Sequence, residues 1–305
     1  MAHLPHSRGY TSHRLNAALH QRIALLASDR ESGASEILDE VIRVFRDAAA
    51  TRVPLLPVAR AACRAQPAMA SVWNAALEML ASGEPHEAIE GFARRVARAP
   101  DALARVAADF FQWNGPGPLR LVTISFSRSV VTVLEKLVGG RPLRVSCSES
   151  RPALEGRRLA SRLAAAGIPV TCFSDAAIGH ALGGADAVLI GADAVAPEWF
   201  LNKNATRMLA AAASQQGVPV YILATRDKFV SHAVGGRLIM REGAAAEVWE
   251  SPPAGVAVRN PYFESIPLDL VASLITDMGV LGTASAAEVC EAISRQQPLD
   301  LIDKL

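Results

Sequence analysis

The stretch VLIGADAVAPEWFLNKNATRMLAAAA, beginning at Val188, carries an acid at the end of one apolar run and an amide–lysine pair before an alanine-rich one. Asp193 follows Gly191-Ala192, and Asn202-Lys203 opens what reads as a helix. Similar side chains follow other apolar runs. Ser125, Ser127 and Arg128 lie in SFSRS, Glu149, Ser150 and Arg151 in SESRP, Ser174-Asp175 stand together, and Arg226 and Lys228 lie in TRDK. Taken singly, each is more simply a helix cap or a solvated charge, and Ser129 and Asp175 read as caps. Gathered on one sheet edge, hydroxyls, cations and the free N–H groups of helix starts make a pocket for a small hydroxylated anion such as a sugar phosphate.

The elements that would gather them are legible from periodicity. Residues 1 to about 110 are helical in pattern: ASEILDEVIRVFRDAA puts Ile37, Val41 and Val44 or Phe45 on one face, and SVWNAALEML and HEAIEGFARRVAR repeat the spacing. NGPGPLR, Asn114 to Arg120, is a Gly/Pro linker. Beyond it, short apolar runs (LRLVTI, LRVSC, IPVTCF, ADAVLIG, VPVYILA) alternate with amphipathic stretches. That alternation predicts right-handed βαβ units, and the lack of polar alternation predicts a parallel sheet covered on both faces. AAEVWESP near Trp249 is expected to add a strand. In such a sheet, ligands bind beyond the carboxyl ends of the strands, where the residues above fall.

Composition removes several classes. Thirty-one basic against 30 acidic residues give a formal charge of +1, without the clustered basic excess of a nucleic-acid binder. No run of apolar residues is long enough for a membrane span, and the N-terminal stretch lacks the apolar centre of a signal peptide. The four cysteines form no CxxC pair and the seven histidines no HExxH, so neither a metal nor a cofactor is expected. Cys147 and Cys172, inside strand-like runs, are expected to be buried and inert, and a reducing cytoplasm fits. GxGxxG, GxSxG and Walker loops are absent.

The motifs FSRSVVTVLEKL, ESRPALEGRRLASRLAAAGIPVT, DAAIGHAL, ADAVLIGADAV, NKNATRMLAAAA, VPVYILAT and FESIPLDLVASLITDMGVL occur in this order. They resemble the family of the alpha, beta and delta subunits of eukaryotic translation initiation factor 2B. That family also contains 5-methylthioribose-1-phosphate isomerase and ribose-1,5-bisphosphate isomerase. The resemblance implies an α/β fold: an N-terminal all-helical domain, here 1–115, followed by a Rossmann-like parallel β-sheet domain, here 116–305, with helices on both faces. It implies a homodimer, and the apolar run FESIPLDLVASLITDMGVLGTASA is expected to lie partly at that interface. The family's isomerases open a ribose 1-phosphate and move the carbonyl from C1 to C2, using a cysteine after the first strand and an aspartate after the fourth. Asp193 matches the aspartate, and Asn202 and Lys203 match an Asn-Lys pair that reaches the sugar phosphate. LLASDRESGASEIL resembles a segment leading toward the same pocket and adds Arg30.

The departures fall at the same places. Ser125 stands where the isomerases have cysteine, and a serine needs a neighbouring base to become reactive. Pro197-Glu198-Trp199 replaces an Asn-Gly, and Asn204-Ala205-Thr206 replaces Ile-Gly-Thr. The expected site is therefore Asp193 and Ser125 as catalytic positions. Arg30, Ser127, Arg128, Glu149, Arg151, Asn202 and Lys203 bind the ligand, with Arg128, Arg151 and Lys203 converging on one anion. Two functions remain open: a regulatory sugar-phosphate binder, which Ser125 favours, and an aldose–ketose isomerase, which Asp193 favours.

Overall fold

The computed structural model describes residues 8–29, 33–51, 53–112 and 117–305. Five helices come first: α1 Arg8–Ser28, α2 Ala34–Thr51, α3 Leu55–Ala65, α4 Ala70–Ala81 and α5 Pro85–Phe110. Their apolar stripes meet in one core that holds Val41, Phe45, Trp73, Leu77, Ile89 and Phe92. Then follow β1 Leu119–Thr123, α6 Arg128–Val138, β2 Leu143–Ser148, α7 Glu155–Ala165, β3 Val170–Phe173, β4 Ala187–Gly191, β5 Ala194–Val195, β6 Trp199–Lys203, α8 Thr206–Gln215, β7 Val220–Leu223, α9 His232–Gly235, β8 Phe263–Pro267, β9 Ser273–Thr276, β10 Gly279–Leu281, α10 Thr283–Ser294 and α11 Leu299–Lys304.

Among the described residues, the main sheet runs β10-β9-β7-β4-β1-β2-β3. Its neighbours are parallel except for the β9–β10 hairpin. Every residue of β4 is buried, because helices cover both faces. Leu103 of α5, Leu134 of α6 and Leu159 of α7 pack on one side, and Leu209 of α8 and Cys290 of α10 on the other. The chain steps from β1 to β2 and β3 in one direction and from β4 to β7 in the other. The crevice between the ends of β1 and β4 is thus a topological switch point.

Three expectations are corrected. Asn202 and Lys203 end β6, a strand of a small antiparallel β5-β6-β8 sheet, and α8 starts only at Thr206. The segment at Trp249 forms a short 3-10 turn, Ala245–Glu247, with Val248 and Trp249 exposed and no strand partner among the described residues. The C-terminal apolar run builds β8, β9 and β10: Ile266, Leu268, Leu274 and Ile275 are buried inside this chain, while Met278 and Val280 of the same run stay exposed. Cys172 is exposed, because β3 is an edge strand whose middle residues face outward. Cys147, on the interior neighbour β2, is buried, and burial pushes its thiol up to about 12, with Cys172 beside it adding to the effect.

The boundary expected near residue 115 lies between α5 and β1, at residues outside the described ones. On either side the packing is continuous. Ile89 and Phe92 of α5 belong to the helical core, and Leu103, Ala104 and Ala107 of the same helix belong to the sheet core. Ile302 of α11 returns to the helical core. No described helix is long and apolar enough to cross a membrane.

Candidate active site

The strand ends at the switch point approach closely. A Cβ on Gly191, the last residue of β4, would lie 2.3 Å from Ser127 Oγ, which belongs to the loop after β1. Only a glycine admits that contact. Among the described residues, the non-glycine residues with positive φ are Ser125 (63°), Ser150 (59°), Leu154 (58°) and Ala205 (77°). All four sit in strand-to-helix connections, after β1, β2 and β6. Each costs about 1–3 kcal/mol of backbone strain, the kind that surrounding structure sustains where a site must be shaped.

Hydrogen bonds hold these loops. The N–H of Ser125 donates to Ser150 Oγ at 2.8 Å, and the Ser150 and Ser148 hydroxyls are 3.0 Å apart. Asp175, at the start of the 3-10 helix Asp175–Leu182, accepts from the N–H groups of Ser150 and Arg151, both at 2.7 Å. Asp175 therefore pins the neighbouring loop instead of capping its own helix. Gly156 lets α7 start against β2, since a Cβ there would lie 1.7 Å from Ser148 O.

The charged centre lies after β4 and β6. Asp193 is half-buried and fixed by its N–H, which donates to Leu201 O at 2.8 Å. Burial raises its carboxyl above the ordinary aspartate value, against the opposing pull of Lys228 and Lys203. Lys228 Nζ donates to Ala192 O, beside that carboxylate. Lys203 is only 3% exposed, and its Nζ lies 2.8 Å from Glu155 Oε1 and 4.1 Å from the centre of the Tyr262 ring. Glu155 Oε2 is buried without a hydrogen-bond partner among the described residues, at a cost of about 1–3 kcal/mol. Tyr262 is itself held, its hydroxyl 2.8 Å from Glu247 Oε2.

The predicted residues fall as follows. Asp193 and Lys203 stand within electrostatic reach of each other. Ser125 and Ser127 line the end of β1. Asn202 is buried, and its amide donates to Thr206 Oγ1 at 2.9 Å, which ties β6 to α8. Glu149 pairs with Arg157. Arg128, at the first turn of α6, and Arg151 are exposed. Arg30 lies outside the described residues. Two side chains beside Lys203 were missed, Glu155 and Tyr262, and a third charged neighbour, Lys228, was noted but not assigned to the site. Lys228 stood in the TRDK strand end, whereas Glu155 looks like an ordinary charge on an amphipathic helix.

A second cleft, about 790 Å3, lies between α4, α5 and the loops after β7 and β9. Its arginines, Arg95, Arg98 and Arg226, face Glu78, Asp227 and Asp277, and Arg95 is already paired with Glu78. It contains none of the strand-end hydroxyls.

A profile described as the Initiation factor 2 subunit family matches residues 11–283. The chain belongs to that family. It is 38% identical over 163 residues to a methylthioribose-1-phosphate isomerase of Rhodopirellula baltica, covering 49% of this chain and 46% of the relative. It is 30% identical over 176 residues to a ribose 1,5-bisphosphate isomerase of Methanocaldococcus jannaschii, covering 56% of this chain and 57% of the relative. The chain thus aligns with about half the length of these curated relatives. In architecture it resembles the translation initiation factor eIF-2B of Pyrococcus horikoshii OT3, with a TM-score of 0.75, 23% identity and coverage of 87% of this chain and 97% of that one. That likeness is one of fold.

Proposed function

We propose that this member of the family is an aldose–ketose isomerase acting on a ribose 1-phosphate, of the methylthioribose-1-phosphate or ribose-1,5-bisphosphate type. The observation that carries the reading is Asp193. It is a carboxyl raised by burial, set at the switch point between two lysines, in a chain whose named relatives are sugar-phosphate isomerases. The reaction needs no outside oxidant. One hydrogen moves from C2 to C1, and one proton moves from the C2 hydroxyl to the ring oxygen as the ring opens. A carboxyl whose proton affinity is raised toward neutrality suits such transfers. Ser125 and the Ser148–Ser150 hydroxyls offer hydrogen bonds to sugar oxygens, and Arg128 and Arg151 offer charge to the phosphate. The regulatory reading that Ser125 favoured gives way on the identity of these relatives.

The reading places the enzyme in the cytoplasm, where free cysteines, one of them exposed, stay reduced. It also takes the enzyme as a homodimer. Met278 and Val280, 39% and 42% exposed at the edge hairpin of the main sheet, support an edge that is covered in the assembly.

The test is turnover of 5-methylthioribose 1-phosphate and ribose 1,5-bisphosphate, followed by proton NMR of the ketose product. The wild type is expected to turn over one of them. Asp193→Asn is expected to bind it and lose about a thousandfold or more in kcat. Tight binding of both with turnover of neither would restore the regulatory reading.

A further inference from the structure

The deep end of the site is electrically closed. Lys203 and Lys228 stand with Asp193 and Glu155, two cations against two carboxylates. Lys203 in particular has few directions left. Glu155 Oε1 holds one N–H at 2.8 Å, and the Tyr262 ring covers another side. Glu155 is itself committed. It opens α7, where Gly156 packs so closely on β2 that a Cβ there would lie 1.7 Å from Ser148 O. A phosphate dianion approaching Lys203 meets a carboxylate already on the ammonium, fixed and within ion-pair distance. By contrast, Arg128, at the start of α6, and Arg151, in the turn after β2, are exposed.

Resting on the isomerase reading above, we infer that Glu155 is a specificity-determining residue of this site. By holding the charge of Lys203 it turns the deep end into a subsite for neutral sugar oxygens and leaves the phosphate to the mouth, with Arg128 and Arg151. A neutral hydroxyl or carbonyl oxygen can still accept a hydrogen bond from the paired ammonium, whereas a second anion is repelled by Glu155. Glu155 acts through Lys203 and so is a positioning residue for it. The ligand then enters sugar first, with its reacting carbons near Asp193.

The experiment is calorimetric titration with two probes, inorganic phosphate and ribose 1-phosphate, on the wild type, Glu155→Gln and the double variant Glu155→Gln/Lys203→Met. The amide of the single variant keeps the shape and a hydrogen-bond acceptor but removes the charge. Inorganic phosphate is expected to bind Glu155→Gln about tenfold more tightly than wild type, because Lys203 becomes an anion anchor. That gain is expected to vanish in the double variant, which a merely structural role for Glu155 would not produce. Unchanged or weaker phosphate binding in Glu155→Gln overturns the inference, as does a gain that survives without Lys203. If ribose 1-phosphate binds none of the three proteins while the Lys203-dependent phosphate gain appears, the role of Glu155 stands and the sugar-phosphate reading falls. If ribose 1-phosphate binds the wild type and Glu155→Gln changes nothing, the inference falls alone.

Discussion

Asp193 works against folding at the pH where it would work in catalysis. Its carboxyl binds a proton more tightly in the folded chain than in the unfolded one, because burial penalises the charged form more than Lys228 and Lys203 favour it. Between the ordinary aspartate value and the raised one, the folded state holds more protons, so stability falls as pH climbs through that window. Below the ordinary value the group is protonated in both states, and its full contribution is present. Asp193→Asn is therefore expected to raise Tm by a few degrees at pH 7, with the gain shrinking as pH falls through that window toward the ordinary aspartate value. Thermal melts of both proteins from pH 4 to 8 check this. An equal or lower Tm for the variant at pH 7 would mean that the two lysines outweigh burial.

Among the connecting elements, two positions of opposite character shape the site. Gly156 must be a glycine, since a Cβ there would fall 1.7 Å from a backbone oxygen of β2. Gly156→Ala is expected to push α7 off the sheet, carry Glu155 away from Lys203 and cost more than about 2 kcal/mol, read from urea unfolding. Ala205 is the reverse case. It holds φ at 77°, a turn a glycine would make without strain, at a place where the resemblance leads one to expect glycine. Ala205→Gly is expected to stabilise by up to about 1 kcal/mol, because relief of strain exceeds the added freedom of the unfolded chain. A destabilised variant would show that the methyl packs better than the turn costs.

What the sequence discloses is set by the range of the interaction. β1, β2, β3, β4 and β7 are short, mainly apolar runs between helical stretches, and local pattern suffices for them. β6 ends in Asn202-Lys203, polar residues that look like a helix start until β8, about sixty residues later, pairs beside them. That the C-terminal run also completes the main sheet is not legible, because nothing local shows that β9 joins β7. Asp193 and Lys203 are visible from type and position. The Lys203–Glu155 pair is not, because it joins the end of β6 to the start of α7, 48 residues apart. Cys172 looks buried because its run is apolar, and only the sheet order reveals an edge.

Across the whole molecule, the helical core and the site meet through Asn74. Its amide donates to the carbonyls of Asp227 at 2.7 Å and Phe229 at 2.9 Å, and its oxygen accepts from Gln297 at 2.8 Å. Lys228, the residue between those carbonyls, is one of the two lysines that act on Asp193. Asn74→Ala is expected to cost about 2 kcal/mol by orphaning the carbonyls and to lower kcat severalfold by loosening Lys228. Tm and turnover of the purified variant check both, and an unchanged turnover with a lowered Tm would uncouple the bundle from the site. The helix α5 ties the same two regions in another way. It is rooted at one end among Ile89 and Phe92 and at the other among Leu103 and Ala107, and Pro100 lies between the two roots. A proline inside a helix removes the rung that would reach back to Val96 O. In mechanical terms α5 is a beam clamped in two walls with a notch between them. Any rocking of the helical region over the sheet concentrates its bending at that notch and leaves both clamped ends undeformed.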